Sequence, residues 1–222
     1  AIVMVFLVSS ISESSVVISK ISTIPAAESY SDDKLGFLKI FYLVEKGGNY
    51  YESLIKSHIE DIRADTVPKD LLGWRLPTHV YLWLLFPGSG GVSVYIIFLY
   101  LSSLLLTTSY FISQKIIKND YSVIAPFLLM PYLLFASTTI EFLQTDWWAM
   151  FALMFALYAL TSNKLIISGL LLVLATILRE IYVIPIAIIS ALALISKKYI
   201  IFIQQTIVLF TFALVFLFHY LE

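Results

Sequence analysis

Residues 47–77 read GGNYYESLIKSHIEDIRADTVPKDLLGWRLP, the polar island of an otherwise apolar chain. After it come apolar segments joined by short hinges; before it lies a short apolar N-terminal run. A long, charged, aromatic-rich loop among such segments predicts a membrane protein whose working surface lies at one face of the bilayer.

Composition supports that class. The 222 residues are 60% hydrophobic and only 13% charged, where a soluble domain carries about a quarter charged residues. Mean hydropathy is +0.92. The net charge of −1 offers no bulk field for nucleic acid. No cysteine is present, which excludes disulfides, thiolate nucleophiles and cysteine metal sites. Of the 29 charged residues, 18 fall before residue 76, so a polar front precedes a membrane-embedded back.

Taken in order, residues 1–9 are too short for a crossing, which needs about 20 residues. They lack the basic residues of a signal peptide and read as the end of a partial first span. The Ser-rich run to residue 33 reads as loop. Lys34–Lys46, with apolar Leu35, Leu38, Phe41 and Tyr42 and charges at its ends, reads as a helix in the interface. Gly47-Gly48 ends it. Tyr50–Ala64 repeats apolar residues every three or four positions and reads as a second amphipathic helix. Leu76–Phe86 is too short to cross and reads as a juxtamembrane or re-entrant helix.

Six spans follow, near 92–112, 121–137, 145–161, 164–178, 181–195 and 199–218. The expectation is an all-α polytopic membrane protein of about seven transmembrane helices. It forms a single membrane domain over 1–222: a partial span over 1–9, an outer-face loop of short helices over 10–91, and a six-span bundle over 92–222. No charge stands at the centre of any of these spans, which disfavours a transporter or channel. Lysine appears at alternate hinges. That pattern assigns Lys115, Lys118, Lys164, Lys197 and Lys198 to the cytoplasm, and Glu141, Asp146, Arg179 and Glu180 to the outer face.

The outer face collects the residues that carry chemistry. Asp32 and Asp33 are the candidate catalytic pair: either carboxylate can take a proton from an acceptor hydroxyl. The plainer reading is an acidic cap on the helix that starts at Lys34. The same two carboxylates can contribute ligands to a divalent cation, though no further ligand stands at metal spacing. Arg179-Glu180 interrupts two wholly apolar segments. Its arginine suits bidentate phosphate binding, and the plainer reading is a side chain snorkelling to headgroups. Trp147-Trp148 reads as an interface belt. His58, His79 and His219 have no helical pairing, so no zinc site is read. No GxSxG, P-loop or dinucleotide fingerprint is present.

Taken together, these residues resemble the GT-C superfamily of membrane glycosyltransferases. Asp32-Asp33, Tyr42 and Gly47 are similar to the acidic pair, tyrosine and glycine that follow the first span in the aminoarabinose-transferase and protein-mannosyltransferase branch. Gly47-Gly48-Asn49-Tyr50-Tyr51 with Arg75-Leu76-Pro77-Thr78 resembles a group of GT-C-like proteins that reads GGDYY and then RLPT. The resemblance covers about residues 32–198.

It implies a sugar transferred from a polyprenyl-phosphate donor to a hydroxyl acceptor, in the plasma membrane or the endoplasmic reticulum, with the active face outside the cytoplasm. Asp32 or Asp33 is then the base, Arg75 and Arg179 hold the lipid phosphate, and Glu141 stands opposite in the cleft. The implied substrate-binding set is Tyr50, Tyr51, Glu52, Arg75, His79, Glu141, Arg179 and Glu180. The partners are membrane lipid, the polyprenyl-phosphate sugar and possible further membrane subunits. One departure matters. Asn49 stands where the group has aspartate, which leaves Glu52 as the nearby acid. The rival reading is a non-catalytic scaffold or subunit of a larger membrane complex.

Overall fold

The Ser-rich run after residue 9 does not end the first helix. In the computed structural model α1 spans Ile2–Thr23, so residues 10–23, expected as loop, are helix. The reason is local: Ser12 Oγ donates to the Ser9 carbonyl and Ser14 Oγ to the Ile11 carbonyl, each at 2.7 Å. A serine satisfied one turn back needs no water and does not break a helix. The structure describes residues 1–23, 33–59, 76–86 and 90–221.

The described residues are helical, with no strand among them. The order is α1, α2 (Asp33–Glu45), α3 (Tyr50–Ile59), α4 (Thr78–Leu84), α5 (Gly90–Ile117), α6 (Ile124–Thr138), α7 (Thr145–Thr161), α8 (Leu165–Leu178), α9 (Val183–Ile195) and α10 (Tyr199–Leu221). Short 3-10 turns precede α6, α7 and α9. Among the described residues four helical segments are long and apolar enough to cross a membrane: Ile2–Ser22, Gly90–Ile117, Asp120–Thr138 and Tyr199–Tyr220. The chain is thus a helical protein with the composition and helix lengths of a membrane protein. Its outward apolar residues, such as Phe127, Leu170 and Phe210, are what lipid-facing helices carry.

The helices gather into two compact units. Unit 1 holds Ala1–Leu106 and Phe127–Gln144; unit 2 holds Thr107–Pro126 and Thr145–Glu222.

In unit 1 the GGNYY stretch is a corner between two helices. Gly47 takes the left-handed conformation, φ +91°. Its N–H reaches the Val44 carbonyl at 2.9 Å, and Gly48 N–H reaches Leu43 at 3.0 Å. These are the two bonds of a Schellman C-cap. A Cβ on Gly48 would lie 2.8 Å from the Leu43 carbonyl oxygen, so the second glycine is required by space. Asn49 then caps α3: its Oδ1 accepts from Tyr51 N–H at 2.8 Å and from Glu52 N–H at 3.4 Å.

The corner folds α3 back on α2, and α4 packs on α2 as well. Phe37, Phe41, Tyr50, His79 and Trp83 meet edge-on between them, the geometry aromatic quadrupoles prefer. The end of α2 also starts α5. Tyr42 Oη accepts from Gly91 N–H at 3.0 Å and Glu45 Oε1 from Gly90 N–H at 3.2 Å. A carboxylate and a hydroxyl thus satisfy two amides at a helix N-terminus.

Unit 2 centres on Ala156, Leu172, Ile186 and Val208, one residue each from α7, α8, α9 and α10. Its hinges alternate as the lysine pattern predicts. At one end Lys115 Nζ donates to Ser162 Oγ at 2.6 Å and lies over the Tyr158 ring, and Gln204 Nε2 donates to the Leu165 carbonyl. That joins the end of α5 to the end of α7, and the start of α8 to the start of α10. At the other end Asp146, at the start of α7, meets Arg179, at the end of α8.

Candidate functional site

Arg179 sits where two apolar helices meet. Helix α8 stops at Leu178, and Arg179 is extended, φ −151° and ψ 108°, with its N–H still bonded to Ala175. A single 3-10 turn, Glu180–Tyr182, leads into α9. Pro185 is the third residue of α9, where an absent N–H costs no helical bond. The sequence therefore builds a tight hinge from two charged residues between runs that both prefer lipid.

The hinge arginine is held in place. Its Nε donates to Asp146 Oδ1 at 2.8 Å, and Nη1 lies 3.6 Å from Glu180 Oε1. Its side chain is 21% exposed, that of Asp146 48% and that of Glu180 31%. Tyr182 lies within electrostatic reach of both Asp146 and Arg179. The two carboxylates orient the guanidinium and leave the trio a formal −1. Its free edge still offers N–H donors, because a guanidinium carries five in a fixed fork. Asp146 is the residue that the sequence reading left out of its site. The signal was its place at an acidic hinge of the same topological parity as Arg179.

Glu141, in unit 1, is also engaged. It pairs with Lys34 of α2, accepts from Gln144 Nε2 at 2.7 Å, and its N–H is capped by Thr139 Oγ1 at 3.2 Å. The pair ties α2 to the 3-10 turn Glu141–Leu143. Lys34 and Gln144 were not among the sequence candidates.

The remaining candidates divide by burial. Tyr50 and His79 are each 1% exposed and lie inside the aromatic cluster, with His79 Nδ1 3.3 Å from the Leu76 carbonyl. Their surroundings account for both as packing groups rather than as groups presented to a substrate. Tyr51 is half-buried and touches Tyr50 edge-on; Glu52 is exposed in the first turn of α3. Asp32, Arg75 and the side chain of Asp33 lie outside the described residues; α2 begins at Asp33. Among the described residues no three His, Asp or Glu side chains are grouped to hold a metal ion.

The comparisons with known proteins add nothing to this geometry: no protein-family model, no curated protein and no solved structure matches the chain.

Proposed function

We propose that this chain is an integral membrane protein that works as a GT-C-like glycosyltransferase. It moves sugar from a polyprenyl-phosphate donor to a hydroxyl acceptor on the non-cytoplasmic face. The observation that carries the reading is the oriented guanidinium of Arg179 at a hinge between two apolar helices, beside the half-exposed carboxylate of Asp146. With α7, α8 and α9 crossing as well as the four long segments, the span count is seven. The 14 residues of α8 rise about 21 Å, so the bilayer thins locally at these short helices.

In this scheme a carboxylate takes the acceptor proton, the acceptor oxygen attacks the anomeric carbon, and the polyprenyl phosphate leaves. Arg179 offsets the charge that grows on the leaving phosphate. The resemblance assigns the base to Asp32 or Asp33; Asp146 is the carboxylate that stands beside the arginine. The lysine hinges at the opposite end of unit 2 then face the cytoplasm.

The test is transfer of radiolabelled sugar from a polyprenyl phosphate by the chain in proteoliposomes. Arg179→Ala and Asp146→Asn should each lower turnover at least about a hundredfold, the scale of one electrostatic catalytic contact. Turnover indifferent to both would overturn the reading.

A second reading, a non-catalytic scaffold derived from such enzymes, rests on Asn49. Its amide caps α3 and cannot accept a proton as a base. Asn49→Asp keeps the cap and so isolates the chemistry. A chain inactive as it stands that gains turnover with Asn49→Asp is a degenerate transferase. One inactive in both forms, with Arg179→Ala affecting only assembly, is a scaffold.

A further inference from the structure

One end of unit 2 is strongly basic. Five lysines, Lys115, Lys118, Lys164, Lys197 and Lys198, stand on its hinges there, against one acid, Asp120. Those hinges are neighbours. Lys115 bonds to Ser162, on the hinge that carries Lys164, and Gln204 of α10 bonds to Leu165, the residue after Lys164. Lys115 is thus occupied. The other four are exposed, and among the described residues they make no ion pair or side-chain hydrogen bond.

Two of the four have a local reason. Lys118 and Lys197 follow the ends of α5 and α9, where a helix dipole favours a cation. Lys164 and Lys198 have none. They stand directly before α8 and α10, where the dipole opposes a cation. An ammonium group only donates, so it cannot cap the amides there. Lys164 makes no capping bond, and it is the Lys198 backbone carbonyl that accepts from Phe202 N–H at 3.1 Å. Folding of unit 2 therefore gains nothing from these two charges, which points outside the chain for their partner.

We infer that the lysine end is a binding site for anionic lipid headgroups, whose phosphates pair with the four free ammonium groups. Three observations select lipid. Long apolar segments end at Ile117 and begin at Asp120 and Tyr199, so in a crossing chain the lysines stand at the bilayer surface. Exposed Tyr121, Ile166, Tyr199 and Ile200 lie close to them in the chain. Such apolar side chains and interfacial tyrosines suit a bilayer, whereas a soluble acidic partner would leave them against water. Five lysines less Asp120 give that end a formal +4, the sign and density that draw acidic lipid to a juxtamembrane surface. The site is the patch of ammonium groups and not either helix end. The inference stands independently of the glycosyltransferase reading and needs only that these segments cross a bilayer.

The experiment uses the whole chain in mixed phosphatidylcholine and phosphatidylglycerol vesicles. The chain has no cysteine, so Ser196→Cys gives one fluorophore at the lysine end, and Phe218→Cys gives one at the other end of α10. Each is quenched by nitroxide-labelled phosphatidylglycerol or phosphatidylcholine, and the ratio reads which lipid is the neighbour. At residue 196 the anionic lipid should be favoured about three- to tenfold, and at residue 218 less than about twofold. Lys164→Gln with Lys198→Gln should remove at least about half of that preference, since it removes two of the four charges. Lys164→Arg with Lys198→Arg keeps both charges and should keep it, as should Lys46→Gln in unit 1. No preference at residue 196, an equal one at residue 218, or one that persists in the double glutamine variant overturns the proposal. A preference abolished by inorganic phosphate but not by chloride at equal ionic strength also overturns it, in favour of a site for free phosphate.

Discussion

Arg179 donates its Nε–H to Asp146 Oδ1 at 2.8 Å across 33 residues of sequence, and so ties the start of α7 to the end of α8. Asp146 is 48% exposed and Arg179 21%, which limits the strength of the pair by solvent screening. A double-mutant cycle with Asp146→Ala and Arg179→Ala, read by unfolding in mixed detergent micelles, should give a coupling of about 0.5–1 kcal/mol. Coupling near zero would mean that the pair does not hold the hinge, and the argument for an oriented guanidinium would lose its base. Raising salt should weaken this coupling only partly, because screening acts least on the more buried partner.

The GGNYY corner makes a sharper set of predictions, since each residue has a separate job. Asn49→Ala should cost about 1 kcal/mol through the lost cap on α3, and Asn49→Asp should be nearly neutral. Gly47→Ala should cost about 1–2 kcal/mol, because φ is +91° there. Gly48→Ala should destabilise for another reason: its Cβ would stand 2.8 Å from a backbone oxygen that cannot move aside. Thermal melts of the four variants check the order. A costly Asn49→Asp would show that the capping account is wrong.

Hinges at the lysine end of unit 2 carry left-handed residues without glycine: Asn163 at φ 57° and Lys197 at φ 56°. Each closes a helix by the same two-bond cap, with Lys164 N–H to Ala159 at 2.9 Å and Lys198 N–H to Ala193 at 2.8 Å. Lys197→Gly should stabilise the folded chain by up to about 1 kcal/mol. Asn163→Gly should gain less, as asparagine already tolerates that conformation. Equilibrium unfolding of both variants decides it; a loss at Lys197 would mean that its charge at the helix end matters more than its backbone.

Much of the fold was legible because period and punctuation are local. Gly47 stops α2 and Tyr50 opens α3 where the sequence places them, and the alternation of Lys115, Lys164 and Lys197 with Asp146 and Arg179 follows from hinge charge alone. The length of the first helix is not legible in its composition, because serine favours loops in general, whereas Ser12 and Ser14 bond back to their own helix. The candidate site was less legible. Burial of Tyr50 and His79 depends on Phe37, Phe41 and Trp83 arriving from other helices, and no local pattern announces that. Asp146 needed its partner at Arg179, 33 residues on, before its place in the site could be read.

The polar knot that seats α1 gives the last prediction. Ser10, Ser137 and Tyr95 come from three helices and are all buried, at 1% exposure or less. Tyr95 Oη donates to the Ser137 carbonyl at 2.9 Å and lies 3.4 Å from the Ser10 carbonyl. Ser10 Oγ shares a hydrogen bond with Ser137 Oγ at 2.8 Å. Tyr95→Phe removes only the hydroxyl and should cost about 0.5–1.5 kcal/mol, the net worth of one hydrogen bond. Ser10→Ala should cost a similar amount, and the two losses should not add, because both act on Ser137. Ser10→Leu is different in kind: a side chain too large for the contact should lift α1 from unit 1. A cysteine introduced by Phe6→Cys, at a position 0% exposed in the native chain, should then become reactive to a membrane-permeant maleimide. If that cysteine stays protected in the Ser10→Leu background, the apolar contacts of Val17 and Ile21 alone hold the helix, and its rotation is not set by the serine.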